Sequence, residues 1–279
     1  MNARLLWQRF EPLHAVTYFA PEARAAYEEA GLRGYWRGYF AGRTAPLGPV
    51  DAAPAIALYA SFAPRMVARA LPDIWTRATP EQALRARLEG ATAALNRLLG
   101  PVTDDVREAA DLLQEAATGL DVTGRALGAA NAALPWPDAD EPVARLWQAA
   151  TVLREHRGDG HVAALVAADV DGVGALAWRA GVDGIRGLLQ PNRGWTDEEW
   201  DAAVAGLVDR GWLEPDGTAT PAGRAAHAEM EALTDRAAAG PWRALGPDRT
   251  ARLADLLLPL TRATAGVVPY PNPVGVTPP

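Results

Sequence analysis

The chain has 279 residues, of which 49% are hydrophobic and 22% are charged, which allows two domains with separate cores and excludes disordered and fibrous proteins. It contains no cysteine and no lysine, which excludes disulfides, thiolate nucleophiles, cysteine-based zinc sites and Schiff-base chemistry. The net charge of −7 disfavours a protein that coats nucleic acid or an anionic membrane. Because neither a signal-peptide core nor an apolar run of membrane-spanning length is present, we expect a cytoplasmic protein without membrane contact.

Residues 1–134 are predicted to form a helical domain that is rich in aromatic residues. The first 75 residues hold 12 of the 20 aromatic residues, together with eight arginines against six acidic residues. Near residues 35–42, Gly34, Gly38 and Gly42 recur every fourth residue, while aromatic side chains occupy another face of the helix. A glycine inside a helix costs about 1 kcal/mol relative to alanine. The repeat therefore predicts that another helix or a ligand approaches the bare face closely.

A proline-rich break at residues 134–138 marks the boundary with a second domain, predicted over residues 139–265. A helix begins near the start of this domain, and Gly158-Asp159-Gly160-His161 is predicted to end it in a tight turn. In such a turn Asp159 would cap the helix that follows. Residues 266–279 form a proline-rich tail.

The central unit of the second domain is predicted to be a winged helix-turn-helix. Thr196 is a candidate N-cap, and Glu199 completes a capping box at the start of one helix. Residues 212–214 and 218–220 are predicted as two short strands around a Pro-Asp-Gly turn, and another helix begins at Pro221. The predicted fold class is mainly α: a helical N-terminal domain followed by a winged helix-turn-helix domain with a two-stranded wing.

The helix that would read DNA in this unit is acidic. Such a helix enters the major groove with its N-terminal residues, and here these include Asp197, Glu198, Glu199 and Asp201. Residues 193–265 hold eight arginines against twelve acidic residues. Since carboxylates repel phosphates, DNA binding is disfavoured. A MarR-like, ligand-responsive transcriptional regulator that binds DNA as a dimer is kept as an alternative.

Six short motifs, distributed over nearly the whole chain, carry a resemblance to a known family. They are FEPLHAVTYF at 10–19, GYFAGR at 38–43, APLG at 45–48, RGDGHVAAL at 157–165, GWT at 194–196 and PNP at 271–273. On these motifs the chain resembles the SalK family, a helix-turn-helix family of high-GC bacteria. The resemblance implies a helix-turn-helix fold whose C-terminal half is similar to the MarR-type winged helix, and it implies no particular chemistry.

The aromatic and arginine excess predicts a concave site for a small aromatic or anionic metabolite, which stacking and directed hydrogen bonds would hold. The alternative is that the aromatic residues only fill the core. The candidate ligand-binding residues are Tyr18, Tyr39 and Arg43, joined by Arg157 and Asp159 if the site lies between the domains. The leading hypothesis is thus a protein that binds a small molecule in the N-terminal domain or between the domains.

The candidate catalytic residues are His14 and His161. Either could act as a general base near neutral pH, or as the axial ligand of a haem, a cofactor for which one histidine suffices. The four histidines form no HxxxH or HExxH pair, so no metal site is predicted. A cofactor-independent or haem-dependent enzyme is therefore a further alternative, and the sequence leaves open whether the protein forms a homodimer.

Overall fold

The structure, a computed structural model, describes residues 3–279, and in that range it contains fifteen α-helices and three short 3-10 helices. The α-helices are α1 (Ala3–Phe19), α2 (Pro21–Glu29), α3 (Tyr35–Thr44), α4 (Ala52–Leu58), α5 (Pro64–Ala68), α6 (Pro80–Leu99), α7 (Asp104–Ala116), α8 (Ala126–Ala132), α9 (Pro142–Ala167), α10 (Gly172–Asp183), α11 (Arg186–Arg193), α12 (Asp197–Asp209), α13 (Pro221–Ala237), α14 (Gly240–Leu245) and α15 (Pro247–Ala263). The 3-10 helices are Ala45–Leu47, Asp73–Thr76 and Thr264–Gly266.

The two best-defined helix starts follow from capping residues. Thr79 caps α6 by accepting from the backbone N–H of Gln82, and the backbone N–H of Thr79 donates in return to Oε1 of Gln82. Thr196 and Glu199 form the same reciprocal pair at the start of α12. The predicted capping box at α12 is therefore confirmed, because both orphan N–H groups find a local side-chain acceptor.

The central helix of the molecule is α9, which is 26 residues long and buried on most of its surface. Alanine and aliphatic residues occur on all its sides, as expected for a helix surrounded by protein. The largest hydrophobic cluster joins α9 to α1, α6, α7 and α15, whereas Leu165 near its C-terminal end belongs to the cluster around α10 and α12. One helix thus connects the main core to the cluster around α10 and α12.

The bare face of α3 is covered by the ring of Tyr27 from α2. A Cβ atom added at Gly38 would lie 2.8 Å from Cδ2 of this ring, and one added at Gly42 would overlap the phenol group. The predicted close approach is therefore made by a side chain of a neighbouring helix. Another face of α3 carries Trp36 and Tyr39, whose rings pack together at a centroid distance of 5.5 Å.

Residues 158–161 do not form the predicted turn, because they lie inside α9. Gly160 sits where α9 passes close to its neighbours: an added Cβ would lie 2.5 Å from Nη1 of Arg125 and 3.2 Å from Cβ of Ala237 in α13. The glycine that favoured a turn instead allows close helix packing. Burial of the helix outweighs a cost of about 1 kcal/mol per glycine.

The predicted two-stranded wing was wrong, since residues 3–279 contain no β-strand. Residues 212–220 form a hairpin-like loop with one isolated antiparallel bridge, between Leu213 and Ala219. Each arm is too short for a ladder, and the N–H of Ala219 donates to the carbonyl oxygen of Gly181 in α10, at 3.0 Å. This bond fixes the loop to α10. The fold is all-helical, so only the mainly α part of the predicted class fits.

The predicted domain boundary lies in the irregular segment between α8 and α9. The largest hydrophobic cluster takes residues from both sides of it, such as Leu13 and Leu95 before it and Leu153 and Leu257 after it. The division into two domains stays a prediction, and the two parts share one core. Within the described residues, no single helix is long and apolar enough to cross a membrane; α9 and α10 meet this criterion only as a pair bent by 98°.

Candidate ligand-binding cavity

A cavity of about 880 Å³ lies where α1, α3, α9, α10 and α11 meet the C-terminal tail. Its charged lining comprises six arginines and five acidic residues. This volume lies within the range of about 300–1,000 Å³ that is typical of small-molecule sites. Seven of its eight aromatic lining residues come from the first 75 residues of the chain: Trp7, Tyr18, Phe19, Tyr35, Trp36, Tyr39 and Tyr59, joined by Trp178.

The cavity brings together most of the side chains that the sequence singled out as site candidates. His14 is the exception, because it lies buried behind Tyr18 and not in the wall. The candidates from the N-terminal part and those from α9 therefore face one space, as a site between the two parts requires. Those in the wall are Tyr18, Tyr39, Arg43, Arg157, Asp159 and His161.

A buried ion network holds one side of the cavity. Both carboxylate oxygens of Glu155 accept hydrogen bonds from Arg43, at 3.0 and 2.8 Å, and Arg154 lies 2.7 Å from the same carboxylate. Burial alone would raise the pKa of Glu155, but the two guanidinium groups outweigh it and lower that pKa. Arg43 is thus fixed at the wall by a bidentate pair, and its Nη1 donates to the hydroxyl oxygen of Tyr39 at 3.2 Å.

Arg157 is engaged with two other helices. Its Nη1 donates to the carboxylate of Asp235 in α13 at 2.8 Å, and its guanidinium group lies 4.9 Å from the ring centre of Trp7 in α1. These contacts hold α1, α9 and α13 together at one end of the cavity. Arg157 therefore shapes the wall, with its charge balanced by a carboxylate.

Asp159 caps a helix, although not the one expected from the sequence. Its Oδ2 accepts a hydrogen bond of 2.8 Å from the backbone N–H of Gly128, in the first turn of α8. The residue at the N-cap position of α8, Arg125, supplies no side-chain acceptor, so α9 provides one. Burial raises the pKa of Asp159 to about 6, with a further contribution from the negative charge of Glu155.

The hydrogen bonds around His14 favour one tautomer. The hydroxyl of Thr151 lies 2.9 Å from both the carbonyl oxygen of Trp147 and Nδ1 of His14, and both contacts are hydrogen bonds when Thr151 donates to the carbonyl and Nδ1 donates to Thr151. Burial and nearby guanidinium groups, chiefly Arg154, hold the pKa of His14 well below its usual range. The ring is therefore neutral, and its Nε2 accepts from the hydroxyl of Tyr18 at 2.9 Å.

His161 has the same arrangement on the wall of the cavity. Its Nδ1 lies 2.9 Å from the hydroxyl oxygen of Thr234, which donates its own proton to the carbonyl oxygen of Met230 at 3.1 Å. Burial lowers the pKa of His161, which favours the neutral ring. Nδ1 then carries the proton, and Nε2 has a free lone pair with no hydrogen-bond partner among the described residues.

Arg193 is the lining arginine whose charge is left unbalanced. The other five each form an ion pair with a carboxylate, whereas Arg193 forms none within residues 3–279. Its guanidinium group donates to the carbonyl oxygens of Pro273 and Asn192, lies 4.5 Å from the ring centre of Phe62, and leaves Nε buried without a partner. A partly buried cation without an anion is the strongest feature of the cavity that favours an anionic ligand.

The tail, predicted as residues 266–279, forms one wall of the cavity. Val268 and Val276 pack with α1, and the side chain of Asn272 closes a turn by bonding to the backbone of Gly275 and Val276. The carbonyl oxygen of Pro273 accepts hydrogen bonds from Arg179 of α10 and Arg193 of α11, both at 3.2 Å. The tail thereby connects α1 to α10 and α11.

Two arginines of the cavity wall, Arg154 and Arg193, were not predicted as site residues. For Arg154 the signal that could have identified it is helical periodicity. Arg154, Arg157 and His161 are spaced three and four residues apart, so they share one face of the unbroken helix α9. The predicted turn concealed that face. No sequence signal marks Arg193, because its position depends on how α11 docks against the segment that contains Phe62.

The start of α12 is attached to the N-terminal part of the chain. Arg65 of α5 forms a bidentate pair with Glu199, at 2.7 and 2.8 Å, and also donates to the carbonyl oxygen of Gly194. Asp197 and Asp201 are paired with Arg186 of α11, at 3.2 and 2.9 Å. Arg65 and Arg186 are thus paired with acidic residues of α12 and are not available to bind phosphates.

Comparisons with known proteins give a family and little more. The sequence profile of a helix-turn-helix family matches residues 3–269 of the chain. No curated protein and no solved structure matches the chain. A helix-turn-helix family suggests a regulator-like protein of a DNA-binding class. Because the matched range covers nearly the whole sequence, the chain belongs to this helix-turn-helix family.

Proposed function

We propose that this helix-turn-helix protein binds a small aromatic anion in the cavity between α1, α3, α9, α10 and the tail. The observation that carries the proposal is Arg193, a partly buried arginine whose Nε is buried without a partner and whose guanidinium group pairs with no carboxylate of the described residues, in a cavity with eight aromatic residues. A ligand carboxylate would balance this charge, and aromatic walls favour a planar ring. The guanidinium group of Arg193 is a planar fork of N–H donors, and this geometry suits a carboxylate.

Isothermal titration calorimetry with 2-naphthoate and its neutral amide, 2-naphthamide, tests this proposal. We expect one site per chain and a preference of about tenfold or more for the carboxylate, since charge-assisted hydrogen bonds stabilise it. The variant Arg193→Gln should lose this preference and still bind the amide. The variant Arg37→Gln, which changes an exposed arginine of α3 outside the cavity, is the matched control. Absence of 2-naphthoate binding to the folded wild-type protein would reject the proposal.

A ligand-responsive regulator that binds DNA as a dimer is the second candidate, and family membership supports it. It requires a symmetric dimer with paired basic patches about one DNA turn apart. The ion pairs that Arg65 and Arg186 form with acidic residues of α12 weigh against it. An electrophoretic mobility shift at low salt with the upstream region of its own gene tests it, and an unshifted band rejects it.

An enzyme is the third candidate, and the free Nε2 of His161 at the cavity wall supports it. This nitrogen is suited to accept a proton from a bound molecule or to ligate a haem iron. His14 fits these roles less well, because both of its ring nitrogens are hydrogen-bonded. A Soret absorption band in the purified protein that disappears in His161→Ala would favour the haem alternative.

A further inference from the structure

The two tyrosines in the cavity wall, Tyr18 and Tyr39, direct their hydroxyl protons in opposite ways. Their rings are neighbours, with centroids 5.0 Å apart. We infer that this pair, together with Arg193, selects a planar aromatic carboxylate that also carries a hydroxyl group. The inference rests on the proposed function and adds the hydrogen-bonding pattern that a ligand must have.

Tyr18 presents only an acceptor to the cavity. In the favoured tautomer of His14 its proton is donated to Nε2 of that ring, because Nδ1 carries the ring proton and donates to Thr151. The phenol oxygen receives no other hydrogen bond within residues 3–279, so its remaining lone pairs are available to a ligand. A ligand group at this point must be a hydrogen-bond donor. An ether or carboxylate oxygen is only an acceptor, so its lone pairs would face those of the Tyr18 oxygen and repel them.

Tyr39 presents a donor. Its oxygen accepts from Nη1 of Arg43, which Glu155 holds in place, and its O–H has no acceptor among the described residues. Burial favours the neutral phenol, but the charges of Arg43 and Arg193 outweigh it and lower the pKa of Tyr39. A more acidic phenol is a stronger hydrogen-bond donor, so a ligand oxygen beside it is favoured.

A hydroxyl group satisfies both tyrosines, because it donates to Tyr18 and accepts from Tyr39. An ether fails at Tyr18, and an ammonium group, which has no lone pair, fails at Tyr39. The carboxylate belongs at Arg193, because its guanidinium group lies 4.5 Å from the ring centre of Phe62, and the ring centre of Tyr39 lies 5.4 Å from that same ring. The ligand class is therefore a phenolic acid or a larger hydroxyaryl carboxylate.

The test compares 6-hydroxy-2-naphthoate, 6-methoxy-2-naphthoate and 2-naphthoate by isothermal titration calorimetry. We expect the hydroxyl to tighten binding about tenfold relative to 2-naphthoate, and the methoxy group to give no gain. The variant Tyr18→Phe should abolish the hydroxyl preference, so that 6-hydroxy-2-naphthoate and 2-naphthoate bind this variant with equal affinity. The matched control is Tyr59→Phe, which also alters the cavity wall but whose hydroxyl is bonded to Thr44 at 2.9 Å. This variant should keep the preference.

The outcomes separate this inference from the proposed function. Equal binding of 2-naphthoate and 6-hydroxy-2-naphthoate overturns the inference alone, as does an equal loss of preference in Tyr18→Phe and Tyr59→Phe. Failure of both probes to bind overturns the proposed function as well. A second measurement needs no ligand: nitrogen-15 NMR of the histidine rings should show His14 neutral and protonated on Nδ1. A protonated ring, or the opposite tautomer, contradicts the stated direction of the Tyr18 hydroxyl.

Discussion

Asp159 holds its proton more tightly in the folded protein than in the unfolded chain, because burial raises its pKa from the usual 3.8 to about 6. Its contribution to the free energy of unfolding is therefore full below pH 3.8 and falls as the pH rises through 6. We expect wild type to lose about 2 kcal/mol relative to Asp159→Asn between these pH values. Urea unfolding of both proteins at several pH values measures this difference, and a constant difference would contradict it.

At the residue scale, the sequence identified side chains better than their partners. Chemical type and location in aromatic or glycine-rich segments were enough to select Tyr18, Tyr39 and Arg43, which all face the cavity. Hydrogen-bond partners from distant segments could not be predicted. The contact of His14 with Thr151 joins positions 137 residues apart, and no local pattern encodes it.

Two glycines of α9 should respond in opposite ways to substitution by alanine. A Cβ atom at Gly158 would have no neighbour closer than 4.0 Å, so Gly158→Ala should stabilise the protein by about 0.5–1 kcal/mol through helix propensity. At Gly160 a Cβ would press on Arg125 and Ala237, so Gly160→Ala should destabilise it by about 1–3 kcal/mol. Thermal and urea unfolding measure both changes. Destabilisation by both substitutions would argue for a turn at this position.

At the element scale, helices with local start signals were predictable, whereas elements that depend on tertiary contacts were not. Thr196 and Glu199 define the start of α12 through bonds within four residues. The loop at residues 212–220 has turn residues as clear as these, yet it forms no strands. The acceptor for Ala219 lies in α10, and the sequence does not reveal that contact.

Removal of the tail should destabilise the whole molecule. Val268 and Val276 are buried against α1, so deletion of residues 267–279 should lower the free energy of unfolding by about 2–5 kcal/mol. Deletion of residues 277–279 alone retains both valines and the Asn272 turn, and it serves as the control. Urea unfolding measures the two truncated proteins, and equal stabilities would show that the packing of the tail contributes little.

At the scale of the whole molecule, helical patterns and the lack of strand patterns outside the wing predicted the mainly α class. The excess of aromatic residues and arginines pointed to the part of the chain that supplies most aromatic residues of the cavity wall. The arrangement of the helices in space could not be predicted from the sequence. The sequence divides at a proline-rich break, but Leu13 and Leu153 on either side of that break belong to one hydrophobic cluster. Proline marks where the backbone is irregular and does not report how the flanking helices pack.

The attachment of α12 to α5 affects the thermodynamics of any encounter with DNA. Arg65 forms an ion pair with Glu199 at the N-terminal end of α12. The N–H of Ala63 also donates to the carbonyl oxygen of Arg193, at 2.9 Å. If the alternative of a DNA-binding regulator holds and α12 is its reading helix, these contacts would have to be released before α12 could enter a groove. The measured dissociation constant then equals the intrinsic one divided by the undocked fraction, so each 1.4 kcal/mol that favours docking weakens apparent DNA affinity about tenfold.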